Sequence, residues 1–166
     1  MLITLDIESS GLGDESYPIQ FGVTYLDKAQ GKLVTIKEDI KPAEGWDYWD
    51  SEAEEFIHFI SRERLEGGKS CRDACLILNK HLGDNEVIVD SVADDEFWLN
   101  KLFEEAGIQR TFYITNIEKY LLREFGVKSD IYEQKRERYE FSHDAGEDAL
   151  IIYLIIQDVK KESPVT

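Results

Sequence analysis

Cysteine is scarce in this sequence. Only Cys71 and Cys75 occur, four residues apart in a stretch of helical periodicity. Two thiols do not make a disulfide framework, and alone they make a poor metal site. They read as small buried hydrophobes in a reducing compartment, so the expected location is cytoplasmic. Long hydrophobic runs are also missing. No apolar stretch approaches the roughly 20 residues that span a bilayer. The N-terminus does not read as a signal peptide either, because Asp6 and Glu8 interrupt its apolar stretch and no basic segment precedes it; no membrane partner is expected. Basic residues are the third shortage: 19 Lys and Arg stand against 35 Asp and Glu, a net charge of −16. Phosphate affinity normally comes from a basic patch, which argues against a long footprint on duplex. Bound divalent cations reverse the local sign, so a short or single-stranded nucleic acid remains compatible with this charge.

What is present suits a globular fold. The 166 residues, 42% hydrophobic and 33% charged, can build one domain with a proper core but hardly two. Strands are expected over Met1 to Glu8, Ile19 to Leu26 and Leu33 to Ile40, separated by the loop SSGLGDESYP and a hairpin turn at Gly31. Helical spacing follows from about Ser51 to Phe59 and from Ser70 to Leu82, with Gly83 as a stop. VIVD, ending at Asp90, reads as a short buried strand. Next come a helix from Asp94 to Ala106, a strand from Thr111 to Thr115 and a helix from Asn116 to Phe125. Asp130 to Phe141 reads as charged helix plus loop, and a last helix spans Asp144 to Lys160. Tight turns among the first strands, then strands alternating with helices, point to an α/β domain with one mixed central sheet flanked by helices. The domain is expected over residues 1–160, with residues 161–166 as a short tail. No internal repeat, linker or low-complexity block interrupts it.

Three segments carry unusual carboxylates. In ITLDIESSGLG, Asp6 and Glu8 share one face of a strand whose other face is Ile3, Leu5 and Ile7. A solvated edge face would carry the same pair, but an ionised carboxylate in an apolar setting calls for a neutralising partner. In FSHDAGEDALIIYLIIQ every residue from Ala149 to Ile156 is apolar. Asp148 stands at the entrance of that buried run, with His143 five residues earlier. Asp144 and Glu147 suit the helix dipole; Asp148 lies beyond the usual cap. In VIVDSVADDEFWLNKLF, Asp94 or Asp95 opens a helix, and one of them suffices as its cap, leaving the other spare.

Four carboxylates from three segments suit hard cations such as Mg²⁺ and Mn²⁺. Two such ions about 3.5–4 Å apart stabilise both the attacking and the leaving oxygen of a phosphoryl displacement. A histidine, with an ordinary pKa of about 6.5, is fitted to take the proton of the attacking water.

These segments resemble the three motifs of the DEDDh 3′–5′ exonucleases, a family with an RNase H-like fold that includes proofreading subunits, RNase T and oligoribonuclease. Asp6-Ile7-Glu8-Ser9-Ser10-Gly11 is similar to the family's opening Asp-x-Glu-[Thr/Ser]-[Thr/Ser]-Gly. His143-Asp144-Ala145-Gly146-Glu147-Asp148 fits its His-x-Ala-x-x-Asp. The middle motif is an Asp followed three residues later by a large apolar residue. Asp95 with Trp98 and Leu99 fits it, and so does Asp94 with Phe97 and Trp98; Asp95 is favoured because Leu99 and Phe103 continue its helical face. Two departures stand out: Gln20 occupies a position where many members carry Glu, and His58-Phe59-Ile60 is similar to a family His-Gly-Ile with Phe in place of Gly.

The resemblance implies that Asp6, Glu8, Asp95 and Asp148 bind two divalent ions, Mg²⁺ or Mn²⁺, and that His143 activates water. It implies release of nucleoside 5′-monophosphates from the 3′ end of a single strand or short oligonucleotide. Ser10 and Gly11 would approach the terminal nucleotide and Leu12 would wedge its base, unless Leu12 packs on the domain. Lys135, Arg136 and Arg138 would steer a phosphate or form a solvated face with Glu133, Glu137 and Glu140. Trp46 and Trp49 would stack bases, while Trp98 reads as core and His58 and His81 as ordinary histidines. Some relatives form homodimers, which this sequence neither demands nor opposes. The sugar preference is open, since the 2′-OH separates RNA from DNA and no residue stands out to contact it. The competing reading is a catalytically idle domain that binds nucleic acid or protein; it predicts a missing ligand or histidine, and none is missing.

Overall fold

Strand alternation and helical periodicity resolve, in the computed structural model, into five strands and six helices. It describes residues 1–162; of the expected tail at 161–166, Lys161 and Glu162 belong to the last helix, and 163–166 lie outside the described residues. The strands are β1 (Ile3–Ser9), β2 (Pro18–Asp27), β3 (Lys32–Asp39), β4 (Glu86–Val89) and β5 (Tyr113–Asn116). They form one sheet in the order β3-β2-β1-β4-β5. β1 to β3 pair antiparallel, while β1–β4 and β4–β5 are parallel. The helices are α1 (Ser51–Ala53), α2 (Cys71–Leu82), α3 (Val92–Ala106), α4 (Ile117–Phe125), α5 (Ser129–Arg136) and α6 (Ala145–Glu162). This is the mixed α/β sheet expected from the sequence.

The two faces of β1 organise everything else. Ile3, Leu5 and Ile7 pack with Cys75, Leu78 and Leu99 of α2 and α3. On the other face, Thr4 Oγ1 donates to Ala149 O of α6 at 2.6 Å, so the row Thr4, Asp6, Glu8 looks toward α6. The apolar run of α6 buries Ile152, Ile155 and Ile156 against Ile88, Ile117 and Leu121. Cys71 and Cys75 are free and buried, and burial pushes their thiols up to about 11 and about 12. They are inert packing groups.

Contacts with β2 place the start of α6. A Cβ on Gly22 would lie 1.9 Å from Ala145 O, so only glycine lets this backbone approach that closely. Beside it, fully buried Gln20 accepts from Ala145 N at 2.9 Å and donates from Nε2 to Asp39 Oδ1 at 2.8 Å. A carboxylate at Gln20 would satisfy the first bond and oppose the second, which explains why the amide suits this chain.

The remaining differences from the expected elements have local causes. The helix expected over 51–59 keeps only three α residues; Asp50 caps it by accepting from Glu52 N and Ala53 N. It then widens into a π turn, Glu54–His58, as Trp49 packs edge-on to His58 at 5.8 Å and donates to Glu54 Oε2 at 2.7 Å. Neither Asp94 nor Asp95 caps α3. The helix starts earlier, at Val92 after Ser91, and both aspartates fall in its first turn. At the other end, α6 continues to Glu162, past Lys160.

Candidate active site

The carboxyl ends of β1 and β4 face one way, and open sheets of this kind place their ligand crevices there. A cavity of about 340 Å³ lies at these ends, and Asp6, Glu8, Asp95, Asp148 and His143 all line it. β1 supplies the first two, the first turn of α3 supplies Asp95 and the first turn of α6 supplies Asp148. Of the two candidates in the middle segment, Asp95 is buried. Asp94 is exposed at the rim, where Ser91 Oγ donates to its Oδ2 at 2.7 Å.

Packing four carboxylates together raises their affinity for protons. Burial holds Asp6 well above the usual carboxylate range, and Asp95, Glu8 and Asp148 push it further. Asp95 is raised in the same way, by burial and then by Asp94, Asp90 and Glu8. Glu8 is pushed up to about 7 by burial, then by Asp148 and Asp144. Burial also raises Asp148, against the opposing hydrogen bonds from Ser142 N and His143 N. Asp6 Oδ2 is buried with no hydrogen-bond partner among the described residues. Hard oxygen donors that disfavour one another's ionisation are complementary to a divalent cation, which reverses the local sign. Ligand atoms of Glu8, His143 and Asp148 already lie within 4.8 Å of one another. By donor chemistry these residues fit Mg²⁺ or Mn²⁺.

The carboxylate of Asp148 also builds the turn that presents His143. Its two oxygens accept from Ser142 N at 2.9 Å and His143 N at 3.0 Å. His143 takes a left-handed backbone, φ 56°. Its side chain is 53% exposed, with Nδ1 3.9 Å from Glu8 Oε1. The ring thus stands at the edge of the carboxylate cluster, open to solvent.

The loop after β1 forms the opposite rim. Leu12 lines the cavity and is 83% exposed, so it does not pack on the domain. Gly11 lines the cavity as well; a Cβ there would lie 2.7 Å from Asp50 Cβ. Ser10 is different from expectation. It is fully buried and does not line the cavity. Its N–H donates to Tyr17 O, its hydroxyl accepts from Tyr17 N, and its carbonyl accepts from Asp50 N. Those bonds fix the loop, and Ser9 reaches the cavity instead.

Other expectations are corrected. Trp46 and Trp49 pack onto a small satellite core of Tyr17, Ile19, Ile60 and Leu65, with Trp46 stacked on Tyr17 at 5.3 Å, so neither is an open stacking platform. Lys135 is buried and paired with Glu162, away from the cavity, because α5 turns it toward the end of α6. Arg136 is the only Lys or Arg on the cavity wall among the described residues. His58, read as ordinary, lines the cavity and is buried. Its Nδ1 accepts from Ile60 N at 3.0 Å, and burial lowers its pKa. Asp90 was also missed as a wall residue; its signal was its position at the end of the buried strand VIVD.

Phe59, which stands where the family motif has Gly, has φ 53° and is 69% exposed. A left-handed L-residue costs about 1–2 kcal/mol, and glycine returns part of that as backbone entropy, roughly 0.5–1 kcal/mol. Phe59→Gly is expected to stabilise the fold by about 0.5–1 kcal/mol in urea unfolding. A destabilised variant would mean that ring contacts outweigh the backbone strain.

No protein-family model and no curated protein matches the sequence. Solved structures do match by shape. A full-length 3′-exonuclease superposes with a TM-score of 0.73 at 14% identity, over 97% of this chain and 60% of that one. Exonuclease I of E. coli, solved in complex with a dT13 oligonucleotide, superposes with a TM-score of 0.71 at 16% identity, over 98% and 41%. The chain thus spans about three fifths and two fifths of their lengths. Its mixed five-stranded sheet and flanking helices form an α/β fold shared with these two exonuclease structures.

Proposed function

We propose that this chain is a metal-dependent 3′–5′ exonuclease acting on single strands or short oligonucleotides. The observation that carries the reading is convergence: residues from three distant segments, Asp6 and Glu8, Asp95, and His143 with Asp148, meet on the wall of one cavity. A fold shared with 3′-exonucleases supports it. An idle binding domain of the same fold is the alternative, and the complete residue set counts against it.

In this reading Asp6, Glu8, Asp95 and Asp148 hold two divalent ions, Mg²⁺ or Mn²⁺. Bound there, they supply positive charge to the oxygens that attack and leave phosphorus. His143 takes the proton of the attacking water; the exposed ring has room for it, and Asp148 fixes its backbone. The water oxygen bonds to phosphorus as the P–O3′ bond breaks; the shortened strand keeps the 3′ oxygen, which takes a proton from solvent, and the terminal nucleoside 5′-monophosphate leaves. Gly11 and Leu12 shape the wall against that nucleotide, and Ser10 acts beneath them by holding the loop. The domain, expected over residues 1–160, runs on to the end of α6 at Glu162. Two buried free thiols support a cytoplasmic location, and among the described residues no helix is long and apolar enough to cross a membrane.

The test is digestion of 5′-labelled single-stranded RNA and DNA in Mg²⁺ or Mn²⁺, resolved at single-nucleotide steps. A ladder shrinking from the 3′ end, lost with EDTA and reduced at least about a hundredfold in His143→Ala, is expected. Intact strands in both metals would sink the exonuclease reading and bring the binding alternative forward. The faster of the two substrates gives the sugar preference.

A further inference from the structure

A wall of carboxylates repels a phosphodiester, and the lysines of the surrounding elements are committed to other partners off the cavity wall. Lys37 pairs with Asp144 at 2.6 Å. Lys101 donates to the carbonyls of Asp14 and Ser16, and Lys135 pairs with Glu162. Arg136, at the end of α5, is the exception. It lines the cavity with its guanidinium carbon 4.7 Å from the centroid of the Phe141 ring. Its Nε lies 3.5 Å from Asp90 Oδ2, and Asp90 accepts a hydrogen bond from the Tyr132 hydroxyl at its other oxygen. Among the described residues, neither terminal nitrogen of Arg136 has a hydrogen-bond acceptor.

Stability does not explain this arrangement. Arg136 is 44% exposed, and an exposed ion pair contributes little. A binding role does explain it. Stacking on Phe141 and the pull of Asp90 restrict the plane of the guanidinium. Two terminal N–H pairs are left in the fork geometry that matches phosphate oxygens. Phe141 lies two residues before His143 on the same loop, which keeps the fork beside the reacting end of the strand.

We propose that Arg136 is the phosphate-binding residue of the cleft, oriented by Phe141 and Asp90, and that it grips a single phosphate of the substrate strand. This rests on the nuclease reading and narrows it: one arginine on an acidic wall reads a short footprint, with affinity that depends weakly on salt.

The experiment uses the full chain with fluorescein-labelled five-residue DNA and RNA strands in Ca²⁺. Anisotropy gives Kd across a KCl series, and Mg²⁺-dependent turnover is measured in parallel. Arg136→Gln is expected to weaken binding about tenfold and to reduce the log–log salt slope by about 0.7, the value for one phosphate on a single strand. Arg136→Lys should keep the slope while binding more weakly than wild type, because the charge remains and the fork is lost. Phe141→Leu should weaken binding with the slope intact. Circular dichroism verifies the fold of each variant. An unchanged slope and Kd in Arg136→Gln, with wild-type turnover present, would overturn the role of Arg136 and leave the nuclease reading standing. A reduced slope without wild-type turnover would support the phosphate contact and sink the nuclease reading.

Discussion

Asp6→Asn and Asp148→Asn are each expected to abolish metal-dependent turnover while moving the stability of the metal-free protein in opposite directions. Both lose a charged oxygen donor, and a loss of at least about a thousandfold in kcat/KM is expected, about 4 kcal/mol of transition-state stabilisation. The folding effects differ because the two carboxylates are solvated differently by the protein. Among the described residues Asp6 Oδ2 has no partner, and its ionised form is opposed by burial and by four neighbouring acids, Asp95, Glu8, Asp148 and Asp90. A neutral amide removes that repulsion, so EDTA-treated Asp6→Asn should gain about 1–2 kcal/mol, or about 3–6 °C in Tm. Asp148 instead spends both oxygens on the N–H groups of Ser142 and His143. An asparagine there must turn an NH₂ toward one of those donors. The variant loses a charge-assisted bond and leaves a part-buried N–H unpaired, at a cost of about 1–2 kcal/mol. Thermal melts in EDTA separate the two. Equal shifts of one sign would contradict the different roles given to these carboxylates.

Most of the carboxylate cluster was legible because strand and helix periodicity constrain it. Asp6 and Glu8 fall on one face of β1 once Ile3, Leu5 and Ile7 are assigned to the core. Asp148 is exposed as unusual by the apolar run behind it. The choice between Asp94 and Asp95 follows from a single helical rotation: Asp95 lies one turn before Trp98 and Leu99, both buried, whereas Asp94 shares its face with exposed Phe97.

What was not legible is what only the closing of the chain brings together. Asp90, His58 and Arg136 come from a strand end, a π turn and the end of α5, and no spacing in the sequence relates them. Arg136 sits among interleaved acids, and the charge pattern alone cannot distinguish it from Lys135 or Arg138. One step along α5 decides it, since Lys135 turns inward to Glu162 while Arg136 turns to Phe141 and the cavity. The family-like Gly at Phe59 was visible as a departure, but only the backbone shows that the position is left-handed. Ser10 was misplaced because a serine in a motif-like loop can serve its own backbone as readily as a ligand.

The stability of the metal-free protein is expected to fall as pH rises from about 5 to 8. Glu8 has a folded pKa of about 7 against an ordinary 4.5. Between those values the folded state binds more protons than the unfolded state, so stability declines with pH. The contribution is fully present below pH 4.5 and lost as pH rises through about 7. A shift of this size is worth about 3 kcal/mol. Asp6, Asp95 and Asp148, raised mainly by burial, act in the same direction. His58 and His81, lowered by burial, oppose them, because each favours folding more as pH rises toward its unfolded value. Glu86, lowered by its hydrogen bonds with Arg123, acts below pH 4.5 and outside this window. Four raised carboxylates against two histidines leave a net decline. Urea unfolding in EDTA at pH 5, 6, 7 and 8 measures it, and Mg²⁺ or Mn²⁺ should restore stability at pH 8 by binding only the folded state. Growing repulsion across a chain of net charge −16 would also lower stability as pH rises. Glu8→Gln separates the causes, since removing one charge in thirty-five acids hardly alters the general repulsion but deletes the Glu8 titration. A slope unchanged in Glu8→Gln would assign the decline to the surface, and a flat wild-type profile would deny that the buried carboxylates are strained at all.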